Sequence, residues 1–330
     1  MATIGSNTST LADVASRLDS DGKISAVVEL LNETNEVLDD MQWVEGNLPT
    51  GHRTTIRSGL PSVTWRKLNF GVQPSKSTTT QVTESVGMLE AYAEVDKALA
   101  DLNGNTAAFR LSEDRAFIEA MNQEMQSTLF YGDSSTAPEE FMGLAPRYAD
   151  TTAANGENIL DGLGSASDNC SIWLIVWGPN TVQGIYPKGS KGGLSMEDLG
   201  RETLIDSSNG LYEGYRTHYK WDCGISVRDW RYAVRIANID VSDLNKDASS
   251  SSADIVDLMI QAIEIPRNLG LGKPVFYCNQ TVKSILRRQV LNSNNVRISM
   301  DEVAGKKIMT FDGIPVKRTD ALLNTEAHVT

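Results

Sequence analysis

Carboxylates, a few thiols and imidazoles, and one glycine-rich loop are the groups of this sequence that could do chemistry. The loop comes nearest to a motif. In GPNTVQGIYPKGSKGGL (178–194), Gly184 and Gly189 hold the spacing of a phosphate-cradling loop, but Ser190-Lys191 stand where Lys and then Ser or Thr are needed. No helix-forming run opens directly behind them, so lysine and amides would not converge on a phosphate. The stretch reads as a turn-rich surface loop. Cys170, Cys223 and Cys278 are odd in number, far apart and without a CxxC. That argues against a disulfide framework or a zinc site and fits a reducing compartment. His52, His218 and His328 are equally scattered. Glu139-Glu140 could serve as an acid pair, yet it lies in a turn beside Pro138 where solvent exposure is expected, and the remaining carboxylates read as helix-solvating. GxSxG, HExxH and a strand-linked GxGxxG are all missing. No catalytic, cofactor or metal residue is therefore assigned, and the expectation is a protein that is not an enzyme.

With no chemistry to position, the elements themselves carry the information. The longest runs from Thr106 to Tyr148, TAAFRLSEDRAFIEAMNQEMQSTLFYGDSSTAPEEFMGLAPRY. Ser112 with Glu113 and Asp114 offers one helix start, and Asn105 as cap offers an earlier one. Phe117, Met121, Met125 and Leu129 recur every fourth residue, with Ile118 beside them and Thr128 bridging the stripe. Glu113, Gln123 and Gln126 fall away from it. From Thr106 to Tyr131 such a helix spans about 39 Å, roughly twice an ordinary globular helix. Gly132 is expected as a left-handed cap, and Pro138 forbids continuation into the exit. A long helix with one narrow apolar stripe needs something laid along that stripe.

The first 46 residues read as an acidic, mostly helical arm. Leu11, Val14 and Leu18 suggest one short helix, and Ile24, Val27, Val28 and Leu31 a second after the Asp21-Gly22 break. From Asn47 to about Val86 the composition turns to Thr, Ser, Gly and Val, with alternation at Ser62–Trp65 and Thr78–Val86. The charge also reverses: Arg53, Arg57, Arg66, Lys67 and Lys76 face the single acid Glu84. Two strands around a polar segment suggest a long β-hairpin, which is marginal by itself in water. A basic hairpin in a chain of net charge −13 would find its partner on another copy, where charge complementarity steers docking. The candidate inter-subunit residues are thus the five hairpin cations and, on the arm, Asp13, Asp19, Glu29, Glu33, Glu36, Asp39 and Asp40.

Beyond the helix, Ser171–Trp177 is a continuous apolar run fit for a buried central strand. Leu211–Asp240 alternates strongly and suggests long antiparallel strands stabilised by aromatic pairs. A base-stacking platform there would need a basic groove that the sequence does not supply. Ser242–Ser252 reads as a polar connector. A helix around Ile255–Ile263, a strand at Pro274–Cys278 and a helix over Thr281–Gln289 capped by Asn279 follow. A hairpin turning at Asp312-Gly313 comes last. No apolar run approaches bilayer-spanning length, so no membrane is expected. The opening MATIGSNTST has no basic or apolar signal region. The acidic balance makes nonspecific adhesion to nucleic acid unfavourable.

The passage AFIEAMNQEMQSTLFYGDSSTAPEEFMGLAPRY (116–148) resembles the end of the spine helix and its exit in major capsid proteins of the Hong Kong 97-type fold, found in tailed bacteriophages. LFYGD (129–133) and PEEFMGL (138–144) are its most specific pieces. DALLNTEA (320–327) resembles that family's C-terminal strand and tail. The resemblance covers essentially the whole chain and is similar in flavour to short-tailed phages of the epsilon-fifteen kind. It implies an α+β chain with an N-terminal arm (1–46), an extended loop (47–95), a peripheral domain (96–148 and 212–243, spine helix 106–131) and an axial domain (149–211 and 244–330). It further implies hexamers and pentamers in an icosahedral virion shell around double-stranded DNA bound without sequence specificity, assembled in the bacterial cytoplasm. A separate scaffold, a portal and a decoration protein are the other implied partners. Some relatives link a loop lysine to a neighbour's asparagine; Lys67 and Lys76 match by location only, and the partner and assisting acid have no match here. The alternatives are a nanocompartment shell enclosing a cargo enzyme, or a soluble α/β enzyme with the long helix as core.

Overall fold

The computed structural model describes residues 36–102, 106–206, 208–244, 253–292, 298–303 and 306–330. The two short helices read from Leu11–Leu18 and Ile24–Leu31, the Asn105 cap and most of the 242–252 connector lie outside them.

In chain order the elements begin with α1 (Val37–Asp40), β1 (Trp43–Glu45), β2 (Gly51–Gly59), β3 (Thr78–Ser85), β4 (Gly87–Asp96), α2 (Lys97–Ala100) and α3 (Thr106–Tyr131). β5 (Ile159–Asp161), β6 (Asn169–Trp177), β7 (Val182–Tyr186), β8 (Ser195–Ile205), β9 (Leu211–Val227) and β10 (Ala233–Asp240) follow. α4 (Ile255–Glu264), β11 (Lys273–Cys278), α5 (Gln280–Asn292), β12 (Ile298–Val303), β13 (Lys306–Phe311) and β14 (Ile314–Arg318) complete the chain. Twelve strands form one sheet, and β2 and β3 stand apart as a two-stranded hairpin.

β6 is the centre of the head, with β10 and β11 antiparallel on either side. Its unbroken apolar run is explained by coverage of both faces. Ile172 and Leu174 point into a cluster with Met259 of α4, Val282 and Leu286 of α5, and Phe311. Trp173, Ile175 and Trp177 point into the other cluster, with Met125, Leu129 and Phe130 of α3. Asp254 and Asn279 cap α4 and α5, accepting from the Asp257 and Val282 amides at 3.2 and 2.9 Å. Asp312 and Gly313 both take positive φ, 51° and 80°, the geometry a two-residue hairpin turn requires.

β9 joins the head to a thinner outer sheet. Its last residues pair with β7, and the rest lies between β4 and β8. α3 runs along this outer sheet, with Phe117 stacked on Tyr219 at 6.4 Å and Met121 beside Ala93 and Tyr219. The helix takes the earlier of the two expected starts. Ile118 is 40% exposed, because the sheet covers only a narrow strip of helix there. Gln126, expected outside the stripe, is fully buried and accepts from Thr319 Oγ1 at 3.0 Å. The helix enters the head at that point and is enclosed by the C-terminal tail.

Several expectations are corrected. Gly132 does not take a left-handed backbone. It is glycine because the exit chain crosses the helix end closely, and a Cβ there would lie 2.6 Å from Thr128 O and 2.7 Å from Phe141 O. The exit in turn caps the helix, Gly143 N–H donating to Gly132 O at 2.8 Å and Leu144 N–H to Leu129 O at 3.0 Å. Ser62–Trp65 is not a strand; the hairpin pairs Gly51–Gly59 with Thr78–Ser85. The glycine loop contains buried β7, and only its remainder turns at the surface, with the Gly189 amide donating to Glu45 at 2.8 Å. β8 was not foreseen as a strand. β4 (residues 87–96) pairs with β9 rather than extending the hairpin, and β10 pairs with β6 in the head.

Residues 320–327 form no strand, but Glu326 is buried in the head. It accepts from Arg235 at 2.8 Å and from Ser171 and Tyr131, while Arg235 also donates to Tyr148 O at 2.8 Å. Removing one partner of a buried pair strands the other charge, so Glu326→Ala is expected to destabilise the subunit by about 3–5 kcal/mol. Denaturant unfolding of the subunit measures this, and a loss below about 1 kcal/mol would mean that the pair is effectively solvated.

Candidate assembly surfaces

β2 and β3 alternate. Arg53, Thr55 and Arg57 are exposed on one face, and Thr54 and Ile56 are half-buried on the other. The cross-strand neighbours of Arg53 and Arg57 are Thr83 and Thr79, so neither arginine has a carboxylate opposite. Residues 60–77 follow without regular structure, and every one is exposed. Arg66, Lys67 and Lys76 stand there among Leu60, Val63, Trp65, Leu68 and Phe70, with Trp65 fully exposed. Among the described residues, none of the five hairpin cations is in an ion pair; Arg53 reaches only Thr83 Oγ1 and Arg66 only Phe70 O, each at 3.2 Å.

The hairpin is fixed at its root by residues that sequence reasoning passed over. Glu84 is buried and receives a bidentate fork from Arg147, Nη1 to Oε1 at 2.8 Å and Nη2 to Oε2 at 2.7 Å. Arg147 also donates to Gly143 O and Met142 O, both at 3.0 Å, tying the hairpin to the exit of α3. A signal existed: Glu84 is the only acid of 47–86, and Arg147 the only Lys or Arg between Arg115 and Lys188. Opposite Glu84, His52 is buried with its Nε2 2.9 Å from Arg228 Nη2. Arginine can only donate, so Nε2 accepts and the ring proton sits on Nδ1, which has no partner. Burial, reinforced by the Arg228 charge and opposed by Glu84, holds the imidazole pKa below its ordinary 6.5.

The arm acids divide. Asp13, Asp19, Glu29 and Glu33 lie outside the described residues. Glu36 and Asp39 remain at least partly exposed. Asp40 is a correction, for it is buried inside its own subunit, where Lys273, Lys317 (2.8 Å) and Tyr277 (2.8 Å) converge on it. Burial would raise its pKa, but those three donors outweigh burial and hold it below the usual value. Val37 and Met41 are also buried, and β1 pairs with β7, so this end of the arm is packed on its own head. Asp40, Glu84 and Glu326 are thus the anchors of three chain segments.

A cavity of about 170 Å³ lies beside the hairpin root. It is smaller than small-molecule sites of roughly 300–1,000 Å³. No cluster of His, Cys, Asp and Glu that could hold a metal occurs among the described residues. No described helix is long and apolar enough to cross a membrane. All three cysteines are buried and free, and burial pushes the Cys223 and Cys278 thiols up to about 12.

The family model described as Major capsid protein GP7 matches residues 19–330. A chain in the structure of bacteriophage Epsilon15 is 38% identical, covers all of both chains and superposes with a TM-score of 0.80. The bacteriophage JBD30 capsid is 10% identical over 89% of this chain and 93% of that one, with a TM-score of 0.50, a likeness of fold alone. No curated protein matches this chain.

The depressed His52 pKa sets a sign. The unfolded imidazole takes a proton near 6.5 and the folded one only at lower pH, so the root loses stability as pH falls below about 6.5. Amide exchange at Gly51–Arg53, corrected for its intrinsic pH dependence, should therefore rise as the pH is lowered through that range. His52→Gln, which keeps an acceptor for Arg228, should flatten the response. Equal pH dependence in both proteins would remove His52 from the root.

Proposed function

The chain belongs to the family of major capsid proteins described as Major capsid protein GP7, and from that membership we propose how its copies fit together: as hexamers and pentamers joined by the β2–β3 hairpin. As a phage major capsid protein with the Hong Kong 97-type fold, it forms the icosahedral shell of the virion with copies of itself. The family is structural, so the enzyme and nanocompartment readings give way.

In this reading the hairpin (47–86) is the extended loop. β4, α2, α3, β8 and most of β9 are the peripheral part, and the head around β6 is the axial part. The arm acids Asp13, Asp19, Glu29, Glu33, Glu36 and Asp39 face neighbouring copies, as do Arg53, Arg57, Arg66, Lys67 and Lys76. The enclosed cargo is double-stranded DNA, held without sequence readout, and a scaffold, a portal and a decoration protein are the partners outside the chain itself.

One observation carries the joint: residues 60–77 expose a tryptophan, a phenylalanine and two leucines beside cations that form no ion pair among the described residues. A patch of this kind marks an interaction site, and lone surface cations would be solvated without the apolar company. Expression of the chain, with a scaffold supplied if needed, should give closed shells or capsomers in electron micrographs. A chain that stays monomeric at high concentration would overturn the proposal.

Reversal of Arg66 and Lys67 to Glu should leave the subunit folded and raise the concentration needed for assembly by about tenfold at low salt. The difference should shrink between 0.1 M and 1 M salt as the screening length falls from roughly 10 to 3 Å. Assembly unchanged across that series would remove these cations from the joint.

A further inference from the structure

We propose that the acidic arm folds back onto its own head before assembly, its carboxylates seated on the cationic face of α5, and passes to neighbouring copies only as the shell forms. The contact itself belongs to the single subunit, and its effect on assembly rests on the shell reading above.

α5 presents Lys283, Arg287 and Arg288, with both arginines exposed. Lys283 and Arg287 are four residues apart and so share one side of the helix. The helix has no acid between Gln280 and Asn292. Among the described residues none of its three cations is in an ion pair, whereas Arg235, Lys273, Lys317 and Arg318 of the same head each meet a carboxylate. α4 packs into the same cluster as α5. It carries Asp257 and Glu264 behind its Asp254 cap, and no base. An acidic segment is therefore repelled by one helix of this layer and attracted by the other.

The place where the arm joins the head selects it as the occupant. The described chain begins at Glu36, whose Oε2 lies 3.9 Å from Lys317 Nζ. Lys317 is in register with Tyr277, and the next residue, Arg318, with Cys278 at the end of β11. Lys317 points to the arm's side of the sheet, where it meets Asp40. Arg318 points to the other side, and its Nη2 donates to Gln280 Oε1 in the first turn of α5 at 2.9 Å. The arm thus enters at the end of the sheet from which α5 departs. Residues 1–35 carry Asp13, Asp19, Asp21, Glu29 and Glu33 against only Arg17 and Lys23. Glu33 and Glu29 can extend roughly 10 and 23 Å from Glu36 at strand rise. Lys283 and Arg288 stand only about 5 and 12 Å along α5 from Gln280. The two nearest acids therefore reach the half of α5 that carries the cations. Exposed pairs of this kind are individually weak and screened by salt, which suits a contact that has to be given up. An arm held by its own head is withheld from a neighbour, so the fraction of subunits competent to assemble falls with it.

Thr34→Cys with Ser284→Cys tests the contact and leaves every charge intact. Ser284 is exposed between Lys283 and Arg287, and the three native thiols are buried. Mild oxidation of the dilute, unassembled subunit should close a disulfide within one chain, seen as a faster-migrating monomer on a non-reducing denaturing gel. The band should be absent with either cysteine alone and should fall several-fold between about 0.1 M and 1 M salt. No disulfide, or one that forms only between chains, would overturn the proposal. Where the double-cysteine chain does not fold, charge reversal decides. Lys283→Glu with Arg287→Glu should free the arm and lower the concentration at which shells appear, by about tenfold if about nine arms in ten are held. An unchanged or higher threshold would sink the idea. Because the cross-link is read in the unassembled subunit, failure of the unaltered chain to form shells would strike the shell reading and leave this contact standing.

Discussion

β9 is hydrogen-bonded without interruption along seventeen residues, about 56 Å at strand rise, and its partners change from β4 and β8 to β7 along the way. The ladder passes from β4 at Cys223 to β7 at Gly224 without a gap. The head and the outer sheet are therefore one continuous plate rather than two bodies on a linker. α3 lies across the same junction, its first half on the outer sheet and its last turns in the head core. The outer sheet is only one layer deep under the helix, which is why its satellite clusters are small while the head buries both faces of β6. A subunit built this way offers broad faces and edges to its neighbours.

Extensions from such a plate need fastening, and the fastenings are electrostatic. Arg147 forks onto Glu84 at the hairpin root, Lys273 and Lys317 meet Asp40 at the end of the arm, and Arg235 holds Glu326 in the tail. In each case the carboxylate is withdrawn from water, and the pair is supported by further hydrogen bonds with tyrosine, serine or backbone, the condition under which a buried pair offsets its desolvation. An apolar contact would hold these segments equally firmly but would not fix their register, because it lacks direction. The cations beyond the root are treated in the opposite way. Among the described residues they have no ion-pair partner, and such charge serves encounter between copies more than stability within one.

The relatives fit this division of labour. The bacteriophage Epsilon15 chain is 38% identical over the whole of both chains. At 10% identity with the JBD30 capsid the fold survives. A plate needs only the right alternation and a few close approaches, and many sequences meet that need.

The sequence by itself determined the elements whose signals are local. The four-residue stripe announced α3, the apolar run announced β6, Asn279 its cap, Asp312-Gly313 its turn, and the reversal of charge over 47–86 marked the hairpin as something that leaves the body. LFYGD and PEEFMGL carried the family. Tertiary structure decided whatever depends on residues distant in the chain. Gly132 is required because Phe141 O returns across the helix end, not because of its own φ. Gln126 is buried because the tail closes over it, and Asp40 and Glu84 are anchors because Lys317 and Arg147 reach them from elsewhere. Val182–Tyr186 is a strand because β1 and β9 flank it, although its glycine-rich surroundings read as a loop. Periodicity and turn chemistry are written into neighbouring residues, whereas burial and ion pairing become visible only when segments far apart in sequence are brought together.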